Sequence, residues 1–183
     1  MKPKKPTLEE VQAAHGKRLP NILAPDLDVV FCGINPGLYS GAVGCHFARP
    51  GNRFWAALHA SGFTDRLLEP HEQKEMVQYG CGLTNLVARA TSVAAELSTK
   101  ELQVGRELLQ RRVARYKPAW VAVLGKGAYQ KAFRRPKAEF GRQEEDVGGA
   151  RLWLLPNPSG LNAYYQPPEL ANMFRELLDV ARS

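Results

Sequence analysis

Residues 31–55 read FCGINPGLYSGAVGCHFARPGNRFW, and they decide the fold of the chain. An apolar segment ends in a long glycine-rich loop, which leads into a segment where Phe54, Trp55 and Leu58 share one helical face. The loop carries basic and aromatic side chains but no Asp or Glu. The stretch therefore predicts a strand, a loop and a helix. Long loops on a rigid scaffold often carry function, and the basic, acid-free composition of this one indicates an anionic ligand.

The alternation of strand-like and helix-like segments continues along the chain. Buried strands are predicted at residues 27–34, 80–87, 119–124 and 151–155. Helices are predicted at residues 71–79 and in segments that begin near residues 7, 52, 98, 126 and 167. This alternation is typical of a parallel sheet with helices on both faces. We therefore predict an α/β fold, a three-layer sandwich with a central, mainly parallel sheet of about four strands.

The composition limits the class of protein and its partners. The chain has 183 residues, of which 44% are hydrophobic and 23% charged, as in a globular protein. We expect residues 1–20 to form a basic, partly disordered tail and residues 21–183 to form a single domain. The net charge of +7 favours a polyanionic partner such as nucleic acid. No apolar run reaches the ~18 residues of a membrane helix, so we expect no membrane partner.

Cysteine and histidine spacing bears on metals and on the cellular compartment. The three cysteines form no Cys-x-x-Cys pair, and the four histidines form no spaced metal pair. Neither the Walker nor the Rossmann phosphate motif is present. We therefore expect no metal and no cofactor, and a reduced, cytoplasmic protein.

Two acid-free loops contain the candidate site residues. Each follows a predicted strand, and ligands of parallel sheets bind outside the carboxyl ends of the strands. In the first loop, the neutral amide of Asn35 is too weakly basic to be a general base, but it can orient a water molecule. The alternative is an Asn-Pro-Gly turn with a backbone role. Phe47 is placed either to stack on a base or to fold onto the core.

The remaining candidates point to nucleic acid. Arg49 and Arg53 either contact phosphates or form a solvated surface. In the second loop, at residues 156–161, Leu161 stands beside a glycine. A leucine exposed there would act as a wedge that enters a base stack. The alternative is a leucine tucked beneath the loop.

These loops resemble the motifs of a known family. Residues 33–37 (GINPG), continuing through Phe47 to residues 51–55 (GNRFW), resemble the first motif of the mismatch-specific uracil-DNA glycosylases and thymine-DNA glycosylases. Residues 157–161 (NPSGL) resemble the second motif in its bacterial mismatch-specific form. The likeness runs from about residue 22 to residue 161.

The resemblance implies a monomeric, monofunctional enzyme with the uracil-DNA glycosylase-like fold. Such an enzyme flips uracil, or another modified or mismatched pyrimidine such as one opposite guanine, out of double-stranded DNA. It then hydrolyses the N-glycosidic bond and leaves an abasic site. A bacterial-type protein of this kind would be cytoplasmic and associated with the nucleoid through DNA.

Carried over residue by residue, the resemblance assigns the water-orienting role to Asn35. The base pocket is assigned to Gly33, Ile34, Ser40, Phe47 and Asn157. DNA contacts are assigned to Arg49, Asn52, Arg53, Ser159, Gly160, Leu161 and Asn162.

Two positions depart from the family pattern. Ala88 stands where the family usually has an acidic residue, which marks a possible altered site with reduced activity. Ala163 stands where bacterial members often have a basic residue, and Tyr164 or Tyr165 is a candidate to replace its contact with DNA. Two alternatives follow. One is a module that binds DNA lesions or mismatches with weak catalysis, and the other is an enzyme that acts on free nucleosides.

Overall fold

A five-stranded sheet forms the centre of the protein. The computed structural model describes residues 2–183. Its strands are β1 (Val29–Gly33), β2 (Cys81–Asn85), β3 (Trp120–Leu124), β4 (Gly141–Val147) and β5 (Ala150–Leu155). Their order in the sheet is β2-β1-β3-β5-β4, and every pair is parallel except β4 with β5. The predicted α/β class and mainly parallel sheet are confirmed.

Helices cover both faces of the sheet. They are α1 (Leu8–Gln12), α2 (Leu38–Val43), α3 (Phe54–Ala60), α4 (Thr99–Tyr116), α5 (Lys126–Ala132) and α6 (Pro167–Ala181), with 3₁₀ helices at Pro70–Tyr79 and Ala94–Glu96. Within residues 2–183, no helix combines the length and the apolar character needed to cross a membrane. Capping boxes begin α1 at Thr7 and α4 at Ser98, near the predicted starts, and each hydroxyl accepts a backbone N–H three residues on.

The strands alternate their side chains between two separate cores, as the two-residue period of a strand requires. In β3, Trp120, Ala122 and Leu124 face the core shared with α3 and α6. Val121 and Val123 face the opposite core, shared with α4 and α5. Strand β5 alternates in the same way. A sheet buried on both faces makes the three-layer sandwich that the apolar runs predict.

The predicted count of about four strands is too low, because the sheet has one further strand, β4. Its sequence, GRQEEDV, is mostly polar since β4 is an edge strand, and only Gln143 and Val147 are buried. The sequence does contain a signal for this strand. Gly148 and Gly149 connect β4 to β5 with φ values of +56° and +93°, and two such residues are typical of a tight hairpin turn.

The N-terminal residues begin to pack before residue 21. Ala14 and Leu19 are buried. The Leu19 backbone N–H donates to the Ala88 carbonyl, and the Ala90 N–H donates to the Lys17 carbonyl. Residues 17–19 therefore lie alongside the loop that follows β2.

Helix α4 approaches the rest of the protein closely at Gly105. A Cβ atom at this position would collide with the Leu86 carbonyl, which is backbone and cannot move aside. Gly127 in α5 has open space around it instead. Gly127 therefore serves as a control for Gly105 in a substitution experiment.

We expect Gly105→Ala to destabilise the protein by about 1–3 kcal/mol through overpacking, which exceeds the ~1 kcal/mol gain in helix propensity. Gly127→Ala should stabilise it by about 0.5–1 kcal/mol, because only the propensity changes. Denaturant unfolding of both variants measures the difference. Equal changes in the two variants would contradict the close approach.

Candidate functional site

A cavity of about 260 Å³ opens at the carboxyl ends of the parallel strands. The loop after β1 (residues 34–53, the β1 loop) and the loop after β5 (residues 156–166, the β5 loop) meet there. Of the residues predicted for the site, ten line this cavity: Gly33, Ile34, Asn35, Ser40, Phe47, Arg49, Asn52, Asn157, Ser159 and Leu161. The lining contains no Asp or Glu.

The side-chain amide of Asn35 is fixed by three acceptors. Its Nδ2 lies 3.0 Å from the Arg89 carbonyl, 3.2 Å from the Pro36 carbonyl and 2.8 Å from Thr91 Oγ1. Because carbonyl oxygens only accept hydrogen bonds, the nitrogen and not the oxygen must face them. Thr91 donates its own hydroxyl proton to the Val93 carbonyl, so it can accept from Asn35. Asn35 Oδ1 receives no hydrogen bond from residues 2–183 and can accept one from a water molecule.

Phe47 folds onto the core and also lines the cavity. Its ring stacks on Phe54 with 4.1 Å between centroids and an interplanar angle of 24°. Phe54 in turn belongs to the core shared with α3 and α6. Phe47 also lines the cavity, so the core supports it as a wall of the site. Its φ of +52° is rare for an aromatic residue, and such strain is commonly found at functional sites.

Asn85, which the sequence analysis missed, lies at the base of the cavity. It ends β2 and is buried. Its Oδ1 would lie 2.6 Å from a Cβ atom on Gly33, so only glycine at position 33 leaves room for this amide. The motif glycine therefore has a physical role. A single Asn at a strand end has no distinguishing pattern in the sequence.

The imidazole of His46 contacts the Asn85 amide, and His46 also lines the cavity. His46 is 1% exposed, and its Nε2 lies 2.8 Å from the Pro20 carbonyl. Because that carbonyl only accepts, Nε2 carries the proton. Burial lowers the pKa of His46, which keeps the ring neutral near pH 7. Its Nδ1 is then an acceptor that faces Asn85 Nδ2 at 3.5 Å, the outer limit of a hydrogen bond.

Arg53 holds the two loops together. Its Nη1 donates to the carbonyls of Asn162 (2.7 Å) and Tyr165 (2.9 Å), and its Nη2 donates to the Gly160 carbonyl (3.3 Å). Its backbone N–H donates to the Pro158 carbonyl at 2.8 Å. The resemblance assigns Arg53 a contact with DNA, with a solvated surface as the alternative from the residues alone. The hydrogen bonds of Arg53 instead go to the β5 loop, and its geometry supports a positioning role.

The β5 loop also has its own internal bonds. Asn157 Oδ1 accepts the Ser159 N–H at 3.0 Å, and Asn162 Nδ2 donates to the Asn157 carbonyl at 3.1 Å. Gly160 packs on the Gly51 carbonyl of the β1 loop so closely that a Cβ atom would collide. With its backbone fixed in this way, Leu161 is 75% exposed rather than tucked beneath the loop.

The structure does not bring every predicted residue to the cavity. Gly160 and Asn162 lie in the β5 loop outside its lining, and Ala88 lines a separate groove against α4. The Asn52 Oδ1 accepts the Phe54 N–H at the start of α3, and the Ser40 hydroxyl accepts the Ala48 N–H within the β1 loop. Across residues 2–183, no three His, Cys, Asp or Glu side chains cluster as a metal site requires.

We expect Arg53→Lys to loosen the β5 loop, because an ammonium group cannot bridge three separate carbonyls in the geometry of a guanidinium. Chymotrypsin should then cleave at Leu161, Tyr164 or Tyr165 about ten times faster, since hydrogen bonds to charged groups contribute about 1.5–3 kcal/mol each. Arg49→Lys is the control, because Arg49 lines the same groove as Arg53 but its side chain donates no hydrogen bond within residues 2–183. This substitution should leave cleavage unchanged. If Arg53→Lys were cleaved at the wild-type rate, the positioning role would be wrong.

The buried His46 should make stability depend on pH. Its pKa is lowered in the folded state, so the unfolded chain binds the proton more readily. The stabilisation is fully present above the unfolded pKa of about 6.5 and is lost as the pH falls towards the folded pKa, with a limiting slope of about 1.4 kcal/mol per pH unit. In His46→Gln this component should disappear. Urea unfolding of both proteins between pH 5 and pH 8 measures it, and identical slopes would refute it.

The chain is similar to known proteins in sequence and in fold. Residues 20–181 match the family model of the uracil DNA glycosylase superfamily. The fold is similar to the solution NMR structure of a candidate uracil DNA glycosylase from Methanosarcina acetivorans, with a TM-score of 0.57 and 19% sequence identity over 89% of this chain and 98% of that chain. The likeness to that structure concerns the fold. Because the family model covers nearly the whole sequence, the chain belongs to the uracil DNA glycosylase superfamily.

Proposed function

We propose that the protein is a mismatch-type DNA glycosylase that removes uracil and related pyrimidines from double-stranded DNA. Membership of the superfamily supports a DNA glycosylase role. The observation that carries the finer proposal is the fixed amide of Asn35. Its free acceptor lies in the lining of a small cavity that also contains the supported ring of Phe47 and the exposed Leu161. The protein would act as a monomer, without a metal or a cofactor.

The size of the cavity supports a single flipped base as the ligand. Its volume of about 260 Å³ is below the range of about 300–1,000 Å³ that drug-sized ligands occupy. A duplex cannot enter such a space, so the target nucleotide must leave the base stack. One ring face of the base can then lie against Phe47, since aromatic side chains stack on bases.

Asn85 has the chemistry to recognise the edge of uracil. That edge presents an N–H group between two carbonyl oxygens. An amide offers both an acceptor and a donor, so Asn85 can accept from the N–H and donate to a neighbouring carbonyl. The contact with neutral His46 favours this orientation of the amide.

The chemistry would be hydrolysis by a positioned water. The water oxygen forms a bond to C1′ of the sugar, the bond from C1′ to the base nitrogen breaks, and the electron pair of that bond leaves with the base. The proton that the attacking water loses passes to bulk water. Asn35 Oδ1 can orient the water, but a neutral amide removes no proton from it, and the lining offers no carboxylate. We therefore propose slow chemistry that depends on an easily lost leaving group such as uracil anion.

Mismatched DNA would be the preferred substrate because of the cost of flipping. Flipping costs a few kcal/mol, and it costs least at a mispair. Leu161 can occupy the vacated position in the stack, because its side chain is exposed on a fixed loop. This combination favours uracil or thymine opposite guanine over the same base in a stable pair.

A second candidate, a module that binds mismatches with weak catalysis, is favoured by the acid-free lining. Nicking of duplexes after alkaline treatment separates the two functions. We expect single-turnover product from G·U duplex, less from A·U duplex, and no uracil released from free deoxyuridine. Tight mismatch binding without product, at enzyme excess, would establish the binding module instead.

We expect Asn35→Ala to lower the single-turnover rate on G·U duplex about 100-fold or more, because misplacing the reacting water by about 1 Å is enough for such a loss. Duplex binding should change little, since Asn35 faces the cavity and not its rim. Asn172→Ala on the exposed face of α6 is the control, and it should react at the wild-type rate. An unchanged rate in Asn35→Ala would reject its role.

A further inference from the structure

We propose that Tyr164 is a second DNA-contacting side chain of the β5 loop, and that its ring stacks on a base close to the position that Leu161 fills. The inference rests on the proposed function, because it takes double-stranded DNA as the partner. It adds to that function a contact that would hold the duplex open beside the flipped nucleotide.

The exposure of Tyr164 is the first observation. Tyr164 is 87% exposed and Leu161 is 75% exposed, the two largest values for bulky apolar side chains in residues 2–183. They stand three residues apart on the β5 loop, and Leu161 also lines the cavity. Two such side chains on one loop form an apolar surface that faces solvent, and exposed apolar surfaces often mark interaction sites.

The fixed backbone beneath Tyr164 is the second observation. Its N–H donates to Asn162 Oδ1 at 3.0 Å, and Arg53 binds the carbonyls of Asn162 and Tyr165 on either side. Gln166 Nε2 donates to the Ala163 carbonyl at 3.1 Å. The loop is therefore already ordered in the free protein, and binding through it costs little further conformational entropy. This favours the loop as a contact surface.

The neighbouring Tyr165 shows that exposure is a property of Tyr164 and not of the whole loop. The Tyr165 ring packs edge-on against Phe140, with 5.3 Å between centroids. It is half-buried, and its carbonyl is one of the acceptors of Arg53. Of the two adjacent tyrosines, one anchors the loop and the other extends into solvent.

The reach of Tyr164 suits a base near the flipped nucleotide. Three residues span at most about 10 Å of chain, and successive base pairs are about 3.4 Å apart. Tyr164 therefore lies within about three base-pair steps of the position filled by Leu161. Residues 156–168 contain no Asp or Glu, so the loop does not repel the phosphates that its ring must pass.

A stacking contact of this kind would strengthen binding without selecting the target base. Every base has a π-face, so stacking on an aromatic ring tolerates any sequence. Selection of the target base stays with the cavity, while Tyr164 contributes to holding the opened duplex. The contact should therefore matter most for DNA that has already lost its base.

The test measures binding of the full chain to a duplex with a tetrahydrofuran abasic-site analogue opposite guanine. Tyr164→Ala should raise the Kd about 5- to 150-fold, the range for loss of one base–aromatic stack. Tyr164→Phe should stay within about twofold of wild type, because the ring face and not the hydroxyl makes the contact. Leu67→Ala removes another exposed side chain outside the cavity and should change nothing.

Two outcomes would overturn the inference. One is wild-type affinity in Tyr164→Ala, and the other is an equal loss in Tyr164→Phe. Excision of uracil by the wild-type chain is measured separately on G·U duplex, so failure of the proposed glycosylase function shows as absence of product. Failure of the Tyr164 contact shows instead as unchanged binding in a protein that still excises.

Discussion

The guanidinium of Arg53 connects the two loops that build the cavity. Arg53 is the last residue of the β1 loop, directly before α3. Its guanidinium donates three hydrogen bonds to carbonyls of the β5 loop, about 110 residues later in the chain. Without this connection, the loop that carries Leu161 would keep its internal bonds, the backbone bond from Arg53 to Pro158 and the packing of Gly160 on Gly51, but it would lose all three side-chain bonds to the β1 loop. The Arg53 side chain therefore makes a large contribution to the position of Leu161 relative to the cavity.

The amides and rings that line the cavity are neutral groups with fixed orientations. Asn35 is held by carbonyls and a hydroxyl, Asn85 contacts a neutral imidazole, and Phe47 rests on the core. Preorganised neutral dipoles stabilise charge that develops during a reaction without titrating themselves. Such a site has no carboxylate that could remove a proton from the water. In return, the orientation of Asn35 is independent of pH, because none of its partners ionises.

Apolar periodicity predicted the central strands because a sheet buried on both faces needs continuous runs such as residues 119–124. It could not predict β4, whose polar sequence follows from its place at the edge. Both loops of the site were predicted because glycines and prolines mark them locally. The roles of Asn85 and Arg53 could not be predicted, since each depends on partners that only the fold brings near, such as His46 and the Gly160 carbonyl.

The row of aromatic rings behind Phe47 also gives the protein an optical reporter of its own site. Trp55 meets Phe54 edge-on at 5.2 Å, and Phe54 stacks directly on Phe47. The Trp55 indole N–H donates to the His46 carbonyl at 3.2 Å, next to the residue that forms the cavity wall. A ligand that shifts Phe47 therefore changes the surroundings of an indole two rings away. The fluorescence of this tryptophan would follow occupancy of the pocket without any attached dye.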